Sequence, residues 1–296
     1  MPSQLETLTQ INLDDLVSSF GWEERPLFAF VLRRILIHSA RKFAGQMVDF
    51  DNAVGRGGLS AASRQILQKL YVRDVRVHGR EQLPAHGPAL FLSNHPGMMD
   101  TISLFATINR PDLMILASHR PFLDSLYNTS KKLFFIDDDL AKRVKTIRRV
   151  STHLRHGGSV LSFPVGQIEP DPEVYPGALE SLNNWTDSAR NFIRFAPETM
   201  IIPVLVSGVI WEKTARHWMM RLKRTRVERE KLAAAFQLLA MVTREARLTT
   251  VQVRFAKPIS LDEVGSTDSK AIHRVVINRM RQLIERKSAD NGASAL

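Results

Sequence analysis

From Tyr71 onward the chain alternates short apolar runs with longer amphipathic stretches, a texture that points to an α/β domain built on a central sheet. The strand candidates are residues 89–92, 113–117, 133–136, 160–163, 201–206 and 251–255. Between the third and fourth, Leu140, Val144, Ile147, Val150 and Leu154 share one helix face. Lys142, Arg143, Lys145, Arg148, Arg149 and Arg155 occupy the others, and Gly157 is the expected stop.

Residues 1–70 read as a separate helical region, ahead of a domain spanning 71–290. Within 26–43, Phe28, Val31, Leu32, Ile35, Leu36 and Phe43 follow helical spacing, while Arg34, His38, Arg41 and Lys42 gather on another face. Two readings fit: a helix lying on a bilayer with its basic side towards lipid phosphates, or a helix packed on the protein with a solvated basic face. The glycines of 55–58 mark a loop before a second helical stretch at 61–70. A basic run covers 213–231 and leads into an apolar helix at 232–242, and the tail from Lys287 is expected to fray.

The 41 Lys and Arg exceed the 30 Asp and Glu, for a formal charge of +11. That balance favours a polyanionic partner: nucleic acid, an anionic lipid surface or a phosphorylated small molecule. The absence of cysteine removes disulfides, thiolate metal sites and cysteine nucleophiles. No apolar run approaches the roughly 18 residues of a membrane-spanning helix, and the acidic start lacks the basic opening of a secretory signal. A cytoplasmic protein is expected. His153 and His156 lie three apart on a predicted helix in basic surroundings without nearby carboxylates, so no metal is expected.

The stretch FLSNHPGMMD at 91–100 carries the strongest chemical signal. In a continuous helix His95 and Asp100 would lie about 140° apart, so they meet only if the chain bends, and Pro96 and Gly97 supply the bend. An apolar strand would deliver Asn94 and His95 to its carboxyl end, where α/β sheets commonly bind ligands. Asp100 could alternatively cap the following helix while His95 bonds a backbone carbonyl. The same spacing recurs at His119 and Asp124, without glycine between and not directly after a strand, and reads as structural.

Taken together, the segments resemble the glycerolipid acyltransferase family, which includes lysophosphatidate and glycerol-3-phosphate acyltransferases. The first family motif, N-H-x-x-x-x-D, is met by Asn94, His95 and Asp100 after the entry VHGREQLPAHGPA. LFFIDD at 133–138 partly matches the second, GGSVLSFPVGQIE at 157–169 the third, and Ile201, Ile202, Pro203 and Val204 the fourth. VRFAKPI, ending at Ile259, is similar to the closing strand.

The resemblance implies a mixed central sheet flanked by helices, and an acyltransferase of phospholipid biosynthesis working peripherally at the cytoplasmic membrane face. His95 would be the general base, oriented by Asp100, in direct transfer of a fatty acyl group from acyl-coenzyme A or acyl carrier protein to a hydroxyl. No cofactor is implied beyond the donor. The lipid acceptor would meet Phe163, Pro164, Gly166 and Gln167; Gln167 and Glu169, read as exposed loop residues, would either bond its hydroxyls or have no role. Both motif arginines of the family are missing: the positions read Asp138, then Val165, Gly166, Gln167 and Ile168. Lys142, Arg143 or Lys145 would then substitute as phosphate ligands, or the acceptor is a lysolipid, glycerolipid or glycolipid without a phosphate there. The basic run 213–231 would meet coenzyme A phosphates, an acidic carrier protein or anionic lipid. The alternative is a non-catalytic, membrane-peripheral lipid-binding relative. Nucleic acid is not expected, since no zinc pattern or RNA-binding aromatic motif accompanies the charge.

Overall fold

A computed structural model describes residues 2–21, 25–244, 246–286 and 292–296, with the side chains of Leu70 and Val227 left out. Residues 287–291, the first part of the expected frayed tail, lie outside the described residues and include the bound at 290.

The sheet consists of β1 (Val72–His78), β2 (Ala89–Ser93), β3 (Leu113–Ser118), β4 (Leu133–Ile136), β5 (Ser159–Ser162), β6 (Met200–Ser207), β7 (Thr249–Phe255) and β8 (Ala293–Ser294). Their order is β4-β3-β5-β2-β6-β7-β1-β8. β4, β3, β5, β2 and β6 pair in parallel, β6 with β7 and β1 with β8 antiparallel, so the sheet is mixed as the resemblance implied. The six expected strands are all present. β1 and β8 were not expected: the pattern VRDVRVH places Val72, Val75 and Val77 among charges, and β8 is only two residues long within the tail.

β2 is central, with Leu90 paired to Val160 on one side and Ile201 on the other. A strand walled in on both edges and both faces must be apolar throughout, and all five residues of β2 are buried. One core gathers Leu90, Val160, Ile201 and Leu205 with Val150 and Leu154 of the helix Leu140–Arg155 and Ile272, Val276 and Met280 of the helix Ser269–Glu285. Each such side chain contributes about 1.5–3 kcal/mol on burial.

The chain divides into two compact units. The sheet unit comprises 74–119, 132–209 and 250–296, and the helical unit comprises 1–73, 120–131 and 210–249. The helical unit thus also takes in 71–73, 120–131 and 210–249, three segments expected within 71–290. In it, buried Asp51 accepts hydrogen bonds from Thr129 N (2.7 Å), Thr129 Oγ1 (2.7 Å) and Asn128 N (3.0 Å), which fastens 120–131 to the helices. The helices are α1 (Gln4–Phe20) and α2 (Pro26–Ile66). The loop expected at 55–58 is instead a break within α2, confined to Gly58 at φ 78°, a conformation open to glycine because it lacks a Cβ.

Candidate active site

β2 ends at Ser93, and the next residue keeps hold of the sheet through its side chain. Asn94 Nδ2 donates to Val206 O and Asn94 Oδ1 accepts from Val206 N, both at 2.8 Å. The backbone is then free to turn through His95, Pro96 and Gly97 into α3 (Met98–Ile108).

The turn brings His95 and Asp100 together. His95 Nδ1 lies 2.9 Å from Asp100 Oδ2. The Asp100 side chain is fully buried, whereas that of His95 is 29% exposed. Asp100 also accepts from Gly97 N (2.9 Å, Oδ2) and Thr101 Oγ1 (2.8 Å, Oδ1). The carboxylate therefore accepts from the backbone at the start of α3 and lies against the imidazole at once, and the helix begins at Met98 rather than at Thr101.

The segment after β5 closes the other side. The Phe163 ring lies 4.6 Å from the His95 ring, centroid to centroid. Pro164 is buried, and its carbonyl accepts from Thr186 Oγ1 (3.0 Å) and Thr186 N (3.4 Å). Gly166 turns the chain at φ 69°, with its N–H donating to Phe163 O (3.0 Å), and Gly166 and Gln167 are exposed.

Glu169 is placed differently from the sequence reading, which put it on an exposed loop to bond hydroxyls. It is only 3% exposed and turned inward. Its Oε1 accepts from Trp185 Nε1 (2.9 Å) and lies 3.1 Å from Ser181 Oγ, while its Oε2 accepts from His95 N (3.2 Å). Its own N–H donates to His95 O (2.8 Å), so the two residues clasp each other's backbone. Burial pushes the Glu169 carboxyl up to about 7, against the lowering effect of the Trp185, Ser181 and His95 donors. The available signal was a buried indole needing an acceptor and an acid following directly on the strand-turn segment; neither is a spacing that a motif records.

Of the expected phosphate ligands, Lys142 Nζ bonds Asp137 Oδ2 (3.1 Å), and Arg143 Nε bonds Asp137 O (3.3 Å) with its guanidinium 4.0 Å from Asp138. Backbone N–H donation from Asp139, then the Lys142 ammonium, hold the Asp137 carboxyl below the usual range. Lys145 is exposed on the same helix. The ring of His119 stacks on Phe135 with centroids 4.2 Å apart. His153 and His156 each lie 2.8 Å from a backbone carbonyl, of Asp112 and Thr152.

No curated protein matches the chain. Among solved structures it is similar to the crystal structure of the 1-acyl-sn-glycerophosphate (LPA) acyltransferase PlsC from Thermotoga maritima, at 12% identity and a TM-score of 0.47, over 94% of this chain and 96% of that one. Residues 74–207, which hold the His95 turn, the Phe163 segment and strands β2 to β6, match the acyltransferase family model. Over those residues, a little under half of the chain, the protein is similar to the acyltransferase family.

Proposed function

We propose that the protein is an O-acyltransferase that moves a fatty acyl group from acyl-coenzyme A or acyl carrier protein to a hydroxyl of a lysolipid, glycerolipid or glycolipid. The carrying observation is the 2.9 Å contact between a partly exposed imidazole and a wholly buried carboxylate at the carboxyl end of a parallel strand. Asp100 accepts from Nδ1–H and so fixes the tautomer in which Nε2 is the base. His95 takes the proton of the acceptor hydroxyl as its oxygen attacks the thioester carbon; the C–S bond then breaks and the imidazolium returns the proton to the departing thiolate. The tetrahedral intermediate needs donors for its oxyanion. Gly97 N–H is engaged with Asp100, which leaves the first-turn N–H groups of Met98 and Met99 for that role.

A lipid acceptor brings a bilayer surface with it. In the helical unit, α2 exposes Leu27 (80%), Phe30 (68%) and Ile35 (67%), together with Phe28 and Val31 and, further along, the basic Arg34, His38 and Arg41. An apolar ridge continued by cations suits docking on an anionic, cytoplasm-facing membrane surface. Among the described residues no helix is long and apolar enough to cross a membrane.

The test is thiol release from acyl-coenzyme A and acyl carrier protein across phosphorylated and unphosphorylated lysolipids and glycolipids, for native protein and His95→Ala. With no cysteine, the protein adds no thiol of its own. Acceptor-dependent release lost in His95→Ala is the expected result. Release that survives the substitution would remove His95 as base, and lipid binding without any release would favour the non-catalytic relative.

A further inference from the structure

A cleft of about 660 Å³ runs between residues 182–187 and the helix Ser269–Glu285, within the sheet unit and lined by none of the motif residues. That volume falls within the range of small-molecule sites. Leu182, Trp185 and Ile277 give it an apolar floor. Lys270 and Arg274 stand on its wall four residues apart, hence on one helix face, with half-buried His273 beside them. Among the described residues none of these three side chains makes a hydrogen bond, ion pair or ring contact. Asp187, the acid on the cleft, accepts a hydrogen bond from the Ser269 hydroxyl. The cations here differ from Lys142 and Arg143, which face aspartates.

The cleft is bonded to the active site through its own wall. Trp185 donates to Glu169, which accepts from His95 N, and Thr186 holds the Pro164 carbonyl next to Phe163. A ligand seated against Trp185 and Thr186 therefore touches the residues that position the segment facing the imidazole.

We propose that this cleft is a phosphate-binding subsite for the substrates of acyl transfer, with Lys270, His273 and Arg274 supplying the cationic contacts that the missing motif arginines do not. Paired basic side chains are the usual partners of phosphate oxygens, and an apolar floor accommodates the remainder of a phosphorylated molecule. The proposal rests on the acyl-transfer reading for the source of the phosphate, which is either the coenzyme A moiety of the donor or a phosphomonoester on the acceptor.

The experiment pairs calorimetric binding of coenzyme A and of glycerol 3-phosphate with steady-state kinetics, for native protein, Lys270→Glu/Arg274→Glu and Lys270→Ala/Arg274→Ala. The donor arm compares acyl-coenzyme A with an acyl-N-acetylcysteamine thioester, and the acceptor arm compares phosphorylated with unphosphorylated monoacylglycerol. The expected result is binding of at least one probe weakened tenfold or more by charge reversal and less by alanine, with KM raised for the matching phosphorylated substrate, kcat preserved and the phosphate-free analogue unaffected. A change in the donor arm assigns the phosphate to coenzyme A; a change in the acceptor arm assigns it to the lipid. Equal binding by all three proteins, or no binding of either probe to native protein, overturns the subsite. Probe binding lost on charge reversal in a protein that transfers no acyl group overturns the enzymatic reading and leaves the subsite standing.

Discussion

The turn from Asn94 to Asp100 and the segment from Phe163 to Glu169 each bring a buried carboxylate to His95, and they grip different parts of it. Asp100 holds the ring nitrogen; Glu169 holds the backbone N–H, while its own N–H returns the bond to the His95 carbonyl. The first contact selects a tautomer, and the second sets where the ring starts from. Orientation and placement are thus separate tasks assigned to separate acids, from loops 69 residues apart by the difference of their numbers.

Substitution at each acid tests that division. Asp100→Asn should have the largest effect, a loss of roughly a hundredfold or more in kcat, because an amide can present an N–H where the imidazole needs an acceptor. A loss under tenfold in the thiol-release assay would reduce Asp100 to a helix cap.

Glu169→Gln should come next, at about tenfold. The carboxylate offers one oxygen to Trp185 Nε1 and the other to His95 N, whereas glutamine has one acceptor oxygen and must turn its NH2 towards a donor. The same variant should alter stability against pH. With the folded carboxyl at about 7 and an ordinary value of 4.5, the folded protein keeps a proton that the unfolded chain has released between those limits. This group's contribution is therefore most favourable below about pH 4.5 and declines as pH rises towards 7. Thermal unfolding of native protein and Glu169→Gln from pH 4 to 8 should show that decline only in the native protein; parallel profiles would contradict the assignment.

Phe163→Ala should have the smallest effect, a few-fold on activity, since it removes a ring contact worth about 0.5–1.5 kcal/mol and no hydrogen bond. An effect as large as that of Asp100→Asn would mean that ring packing, rather than the two acids, fixes the imidazole.

The same contrast shows what the sequence made legible. Residues 89–92 and 201–206 read as strands because a strand covered on both faces is apolar throughout, and His95 with Asp100 stood out because proline and glycine between them dictate a bend. Glu169 did not stand out, since its burial depends on Trp185 and Ser181, which reach it only after folding. Val72 to His78 escaped notice because arginines and an aspartate interrupt its valines. Residues 210–249 looked like part of the sheet domain because they lie between two of its strands, yet their contacts place them in the helical unit. Local pattern identifies an element; it does not name the neighbours that element will have.

Asn94 solves a problem of carpentry. A sheet strand cannot leave its neighbour abruptly without stranding that neighbour's N–H and carbonyl in the protein interior, where each lost partner costs about 1–3 kcal/mol. By offering an amide of its own, Asn94 impersonates one more peptide group of β2 and adds a rung that the main chain no longer provides. The backbone can depart one residue early, which is what lets the imidazole project from the sheet's rim instead of lying within the ladder. An aspartate there would keep the acceptor and lose the donor, so the rim itself would be the first thing to come loose.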